Sequence, residues 1–187
     1  MPRSGLTAAR LVDVAADLAD EIGFDALTVS ALARAVDVRP ASLYSHLDGS
    51  DDIRRRVALL ALEEMATAVG AVIAGRAGRD ALVAMADSYR DYARAHPGRY
   101  DATRVGLDHA TAMSSAGPRL SELTAAVLRG YPVPDADHPH AIRLLGSTLH
   151  GYIQLEAAGS FDHSPPSTEE SWHRVVATLD ASLEAWS

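Results

Sequence analysis

The chain has 187 residues, of which 48% are hydrophobic, and it carries a formal net charge of −8. This length and composition predict a folded core and exclude a disordered tail. Because there is no cysteine, disulfides and cysteine-based zinc sites are excluded, which fits a reducing cytoplasm.

The first predicted element is an amphipathic helix over residues 7–22. Thr7 is a suitable N-cap and Gly23 a suitable C-terminal stop. The apolar spacing predicts a buried stripe made of Leu11, Val14, Leu18 and Ile22.

Two short helices are predicted next, over residues 28–36 and 40–47. Between them, Asp37 tolerates the left-handed backbone of a tight turn, and Pro40 suits the first turn of the second helix. The exposed residues of the second helix are small or polar with one aromatic, which suits a helix in a DNA major groove. The spacing therefore predicts a helix-turn-helix.

The remaining sequence predicts further helices, with no strand and no repeat. We expect these helices at about residues 51–74, 79–95, 97–109, 118–129, 140–158 and 168–186. Ser50 is expected to cap the first of them, and residues 114–117 are expected to form a loop. The most apolar stretch, residues 57–74, is too short and polar to span a bilayer, which needs about 20 apolar residues, so no membrane partner is expected.

Several short motifs occur in a fixed order near the N-terminus. The first is an amphipathic helix over residues 10–24. It is followed by Leu27-Thr28, then Leu32-Ala33, then Val38, and then the run Leu43-Tyr44-Ser45-His46-Leu47. In this order and spacing the chain resembles the TetR family of transcriptional regulators. The resemblance implies an all-α fold: an N-terminal three-helix bundle with the helix-turn-helix, over residues 1–52, and a helical ligand-binding and dimerisation domain over residues 53–187.

Three positions depart from the family pattern. Asp37 stands where the family usually has a turn glycine, Arg39 where it often has a capping serine, and Ser50 where it commonly has a phosphate-binding lysine. The missing lysine predicts a weaker grip on the DNA backbone. Residues 1–56 carry seven arginines against nine acidic residues, which also predicts modest non-specific affinity.

The DNA-binding residues expected from position and resemblance are Thr28, Arg39, Pro40, Ala41, Ser42, Tyr44, Ser45 and His46. Tyr44 and His46 are expected to donate to phosphates; the alternative is that they only pack beside neighbouring helices. Base-edge contact is favoured by position for Arg39, Ala41, Ser42 and Ser45, although Ala41 and Ser45 could instead supply clearance or a methyl contact. Residues 54–56, three consecutive arginines, are either a phosphate clamp or, as we favour, a solvated turn.

The C-terminal half carries a second resemblance. Leu149-His150-Gly151 is similar to the Trp-His-Gly motif of a TetR subgroup, with Leu149 in place of the tryptophan. The last two predicted helices are apolar over more than one face, which predicts a homodimer interface that contains Leu179 and Leu183.

Candidate residues for an effector site are Met85, Tyr89, Leu107 and His150, which would give an apolar cavity with few polar groups. The alternative is that these side chains fill the core, as Met and Tyr at helical spacing more often do. No histidine spacing indicates a metal site, and no motif indicates an enzyme or a cofactor.

Together these features predict a DNA-binding regulator, most simply a ligand-responsive repressor that binds a palindromic operator as a dimer. Two alternatives remain: a regulator switched by a protein partner or not switched, and a helical small-molecule-binding module with vestigial DNA binding.

Overall fold

The structure is a computed structural model in which residues 7–186 are described. This part of the chain contains ten α-helices, two 3₁₀ turns and no β-strand, so the predicted all-α fold is confirmed. The helices are α1 (Ala8–Ile22), α2 (Val29–Ala35), α3 (Pro40–Leu43), α4 (Ser50–Ile73), α5 (Gly78–Ala95), α6 (Pro97–Ala102), α7 (His109–Ser114), α8 (Gly117–Leu128), α9 (His138–Ala157) and α10 (Thr168–Glu184). None of the described helices is long and apolar enough to cross a membrane.

By packing, the chain forms two compact units. The first runs through Glu64 and also includes Ala95–Ala116; the second consists of Met65–Arg94 and the chain from Gly117 onward. The predicted boundary between residues 52 and 53 separates a DNA-binding domain from a ligand-binding and dimerisation domain. It stays a prediction.

The buried face of helix α1 is shifted from the expected stripe. Leu11 is fully buried and Val14 and Leu18 are partly buried against the core, as expected, but Ile22 is 44% exposed and the other fully buried residues are Ala15, Ala16 and Ala19. The reason is the close approach of α6: a Cβ on Gly98 would lie 2.0 Å from the Ala19 carbonyl oxygen. Small residues face α6 because larger side chains would hold the two backbones apart.

An ionic cluster fixes the contact between α1 and α6 in the first unit. Asp20 accepts a hydrogen bond from the backbone N–H of Arg99 at 2.8 Å. The Arg99 guanidinium group also pairs with Asp17, with Asp20 at 3.2 Å and with Glu64 at 3.5 Å. These bonds explain why the segment that contains α6 packs with the N-terminal helices.

In the second unit a buried arginine joins α5, α9 and α10. Arg90 is 3% exposed; it donates two hydrogen bonds to Glu156, at 2.9 and 2.6 Å, and one to Glu169 at 2.8 Å. Its guanidinium group also lies 4.9 Å from the Trp172 ring centroid. Hydrogen bonds from Arg90 lower the pKa of Glu156 below its ordinary value.

This packing corrects the expectation for the dimer seam. Leu179 is 4% exposed and Leu183 is fully buried within the protomer. Together with Trp172 and Val176 they form the inner face of α10. They therefore belong to the core of the second unit, and placing them in a subunit interface was wrong.

Two helix boundaries also differ from the prediction. Helix α3 ends at Leu43, and residues 44–46 form a turn in which the His46 N–H donates to the Leu43 carbonyl. The predicted helix over 97–109 ends at Ala102, after which a separate helix, α7, is capped by Asp108. Thr103 contributes to this ending, because its hydroxyl donates to the Tyr100 carbonyl.

Candidate functional site

The helix-turn-helix begins with a well-capped α2. The Thr28 hydroxyl accepts from the Ala31 N–H at 3.1 Å, which is the N-cap bond expected there. The turn that follows contains Asp37 with φ = 53°, as its tolerance of the left-handed region predicts. The Val38 N–H returns to the Ala33 carbonyl at 3.0 Å, so the turn is closed by backbone hydrogen bonds.

Ser50 has a role that the sequence did not suggest. It is the first residue of α4 rather than its cap, and its hydroxyl accepts from the Val29 N–H at 3.1 Å. This bond satisfies one of the free N–H groups at the start of α2. Where the family commonly has a lysine, this chain has a residue that fixes α2 to α4.

Helix α3 and the turn after it are anchored in the core by two leucines, and most of their other side chains are exposed. Leu43 is fully buried and Leu47 is 2% exposed, within the core of the first unit, whereas Tyr44 is 61% exposed. Of the remaining predicted DNA-binding residues, the exposed ones are Arg39, Pro40, Ala41, Ser42 and Ser45, and the half-buried ones are Thr28 and His46. Seven of these eight residues thus lie on α3 or directly beside it, and Thr28 lies at the start of α2. Their contacts with DNA stay a prediction.

Intramolecular contacts engage all three arginines at the start of α4. Arg54 donates from Nε to the Leu27 carbonyl at 2.9 Å. Arg55 and Arg56 both pair with Asp52, which is 3% exposed. Burial acts to raise the pKa of Asp52, but the hydrogen bonds from Arg56 and the Asp48 backbone, with the nearby positive charges, hold that pKa below its ordinary value. These contacts weigh against a clamp made of three arginines.

The second unit contains a cleft of about 140 Å³. Met85 and Tyr89 reach it from α5, and His150 reaches it from α9. The Tyr89 and His150 rings meet edge to face, with centroids 5.6 Å apart. Burial raises the pKa of Tyr89 to about 12, so its phenol remains a hydrogen-bond donor at neutral pH.

Three of the four predicted effector residues thus line one cleft, and Leu107 does not. Leu107 lines a different cleft, of about 370 Å³, in the first unit. The sequence analysis also missed the contribution of α8, which supplies Leu120, Ser121 and Thr124 to the cleft of the second unit. No local pattern distinguishes these three residues, since only packing brings α8 against α9.

Comparison with known proteins decides the family. Residues 11–56 match the model of bacterial regulatory proteins of the tetR family, and residues 82–179 match that of the tetracyclin repressor-like C-terminal domain. The chain is 35% identical over 176 residues to the uncharacterized HTH-type transcriptional regulator Rv0681 of Mycobacterium tuberculosis, covering 93% of this chain and 80% of that protein. The chain belongs to the TetR family. The resemblance is therefore confirmed, and this TetR-family chain is a transcriptional regulator with a helix-turn-helix DNA-binding domain; the Trp-His-Gly subgroup stays a prediction.

Solved structures share the fold of this TetR-family chain. A protein of unknown function from Rhodococcus sp. RHA1 superposes with a TM-score of 0.78 at 19% identity, covering 98% of this chain and 99% of that one. The Q116A variant of TetR from Acinetobacter baumannii, in complex with minocycline, has a TM-score of 0.70 at 18% identity, covering 97% and 98%. TetR-family proteins are regulators rather than enzymes, in agreement with the sequence analysis.

Proposed function

We propose that this TetR-family regulator is a ligand-responsive repressor that binds a palindromic operator as a homodimer. The observation that carries the proposal is the exposed surface of α3 and of the turn that follows it: Tyr44 and its polar neighbours are accessible, while Leu43 and Leu47 anchor this segment in the core. A rigidly supported, exposed helix of this kind suits the major groove. As a DNA-binding regulator it would act in the cytoplasm.

On DNA, we assign positioning and reading to different residues. Tyr44 and His46 donate to phosphates, while Arg39, at the start of α3, is suited to bidentate contact with a guanine. Ser42 also faces the base edges. The Ser45 hydroxyl already donates to the Ser42 carbonyl at 3.0 Å, which favours a role in clearance over one in reading.

Thr28, Pro40 and Ala41 complete the proposed surface. Thr28 caps α2: the Ala31 and Val29 N–H groups donate to Thr28 and to Ser50. Thr28 therefore contributes by fixing the N-terminal end of α2, whose positive dipole end faces a phosphate in this arrangement. Pro40 and Ala41 are small enough to let the backbone of α3 approach the DNA, and Ala41 offers a methyl contact to thymine.

For the homodimer we assign the outer face of α9. Leu144 is 37% and Leu155 is 50% exposed, and the small exposed residues Ser147 and Gly151 lie between them at helical spacing. A stripe of apolar and small residues on one helix suits pairing with the same stripe of a second copy, because a two-fold interface is self-complementary.

The effector site is assigned to the cleft between α5, α8 and α9, lined by Met85, Tyr89 and His150. The minocycline complex of the Acinetobacter baumannii protein supports small-molecule control in a chain of this fold. By thermodynamic linkage, a ligand that binds the DNA-free form more tightly weakens operator binding, and operator binding weakens the ligand by the same factor.

An electrophoretic mobility shift on the DNA that flanks the gene tests the proposal. We expect wild type to shift this DNA, and Arg39→Ala to bind it about 10- to 100-fold more weakly, the effect of one lost bidentate base contact. The matched control is Arg174→Ala, which removes an exposed arginine from α10 in the second unit and should leave binding unchanged. Equal binding of wild type to flanking and scrambled DNA would contradict the proposal.

A further inference from the structure

Gly146 lies in the middle of α9, on the face that lines the cleft. It is four residues from both Ile142 and His150, and all three line the same cleft, as the helical repeat requires. Gly146 is therefore at the centre of the wall that α9 presents to the cleft.

Neither conformation nor packing in the protomer requires glycine at this position. Gly146 is not among the glycines with positive φ. Apart from the adjoining backbone of α9 and the two neighbouring residues, no described atom lies within 4 Å of the Cβ that an alanine would carry there. Gly130 is different, since its Cβ would lie 2.4 Å from the Gly78 nitrogen. An alanine at this position would stabilise the helix relative to glycine. The effect of Gly146 that remains is the space that its missing side chain leaves in the cleft.

The size and chemistry of the cleft limit what it can hold. The cleft is open to solvent on one side, and its volume of about 140 Å³ is close to that of an enclosed apolar cavity of roughly 150 Å³ that binds benzene and well below the roughly 300–1,000 Å³ of drug-sized sites. The part of a ligand that is held between the helices is therefore about one ring in size. No carboxylate or guanidinium group lines it. Its polar groups are the imidazole of His150 and the hydroxyls of Tyr89, Ser121 and Thr124.

The hydroxyl of Thr124 already donates a hydrogen bond within the protein. It donates to the Leu120 carbonyl at 2.9 Å, which leaves its oxygen as an acceptor toward the cleft. A ligand hydroxyl or amine would find an acceptor there, and the apolar side chains of Met85 and Leu149 would contact a ring.

We propose that Gly146 sets the size limit of the effector site and that the effector is an uncharged molecule of about one aromatic ring with one hydroxyl or amine. The ring lies against the Gly146 backbone, and the polar group faces the Tyr89, Thr124 and His150 side of the cleft. This inference rests on the proposed function in one respect: it takes the cleft as the effector site.

The test uses 4-methylphenol as a single-ring probe and 1-naphthol as a larger one. Binding to the full-length protein is measured by isothermal titration calorimetry for wild type, Gly146→Ala and Gly70→Ala. Gly70 is the matched control, because it lies inside α4, where an added Cβ would meet only Leu123 at 3.8 Å. Both variants should melt at or above the wild-type temperature, since alanine favours the helix, which shows that they fold.

We expect wild type and Gly70→Ala to bind 4-methylphenol equally and Gly146→Ala to bind it at least tenfold more weakly, because the new methyl group takes the place of the ring. The inference is overturned if wild type does not bind 4-methylphenol, if Gly146→Ala binds it as well as wild type, or if wild type binds 1-naphthol more tightly than 4-methylphenol.

Release of the flanking DNA in a mobility shift separates this inference from the proposed function. If 4-methylphenol binds with the expected variant pattern but releases no DNA, the size limit holds and ligand-responsive repression fails at this site. If instead a multi-ring compound releases DNA from wild type and Gly146→Ala at the same concentration, ligand control holds and the size limit fails.

Discussion

Replacing Ser50 with lysine changes the stability and the DNA affinity of the helix-turn-helix in opposite directions. In the wild-type chain the Ser50 hydroxyl accepts from the Val29 N–H at 3.1 Å. A lysine side chain has no acceptor, so the N–H at the start of α2 loses its partner. The loss of such a capping bond costs about 1 kcal/mol, which lowers the melting temperature by about 2–4 °C for a chain of this length.

The same substitution adds a positive charge where the family commonly binds a phosphate. One added phosphate contact steepens the dependence of log K on log salt by about 0.9, so the variant should lose about 3.5-fold more affinity than wild type between 50 and 200 mM salt. We therefore expect Ser50→Lys to bind DNA more tightly at low salt although it is less stable.

Fluorescence anisotropy at several salt concentrations and thermal melts measure both effects. The control is Ser50→Ala, which removes the same hydrogen bond and adds no charge. It should lower the melting temperature by a similar amount and leave the salt slope unchanged. The reasoning is refuted if Ser50→Lys and Ser50→Ala have the same salt slope, or if neither variant is less stable than wild type.

Three further predictions concern DNA binding, the buried ion pair and the dimer. Tyr44→Phe should weaken binding to flanking and scrambled DNA alike, by about 1 kcal/mol for one lost hydrogen bond; anisotropy on both duplexes would refute the phosphate role if only one changed. Arg90→Met should destabilise the protein by about 3 kcal/mol, the lower end of the range for a broken buried ion pair, because Glu156 loses its buried partner but keeps its hydrogen bond with the exposed Arg94 at 3.0 Å. The pKa of Glu156 is lowered in the folded state from an ordinary value near 4.5, chiefly by Arg90 and to a smaller extent by Arg94. The ion pairs of Glu156 therefore stabilise wild type above that pH, and the stabilisation is lost as pH falls below it; urea melts from pH 7 to 3 should show a larger loss in wild type than in Arg90→Met, where only Arg94 still pairs with Glu156. Leu155→Arg should dissociate the dimer in sedimentation while keeping the protomer folded, whereas Leu179→Arg, at a buried position, should unfold the protomer.

The helix-turn-helix could be predicted from the sequence because its helix caps and its turn depend on residues that are close together in the chain. The N-cap at Thr28, the left-handed turn at Asp37 and the proline at the start of α3 depend on neighbouring residues, so single motifs predict them. The buried residues Leu43 and Leu47 follow from four-residue spacing. The sequence therefore predicted this part of the site to within a few residues.

Features that depend on distant partners could not be predicted in this way. The acceptor role of Ser50 involves Val29, 21 residues away, and the buried face of α1 is set by Gly98 of α6. Similarly, Leu107 and Met85 have comparable apolar character in the sequence, but only the packing of α8 and α9 decides that Met85 lines the cleft of the second unit. Periodicity identifies an apolar face without saying which neighbour covers it.

A footprint on the DNA that flanks the gene tests operator binding by a dimer most directly. Protection of wild-type complexes from hydroxyl radicals should show two related half-sites whose centres lie about 34–36 Å, or one helical turn, apart, as two copies of α3 in successive major grooves require. Protection of a single half-site, or uniform protection without a symmetric sequence, would contradict a dimer that reads a palindrome.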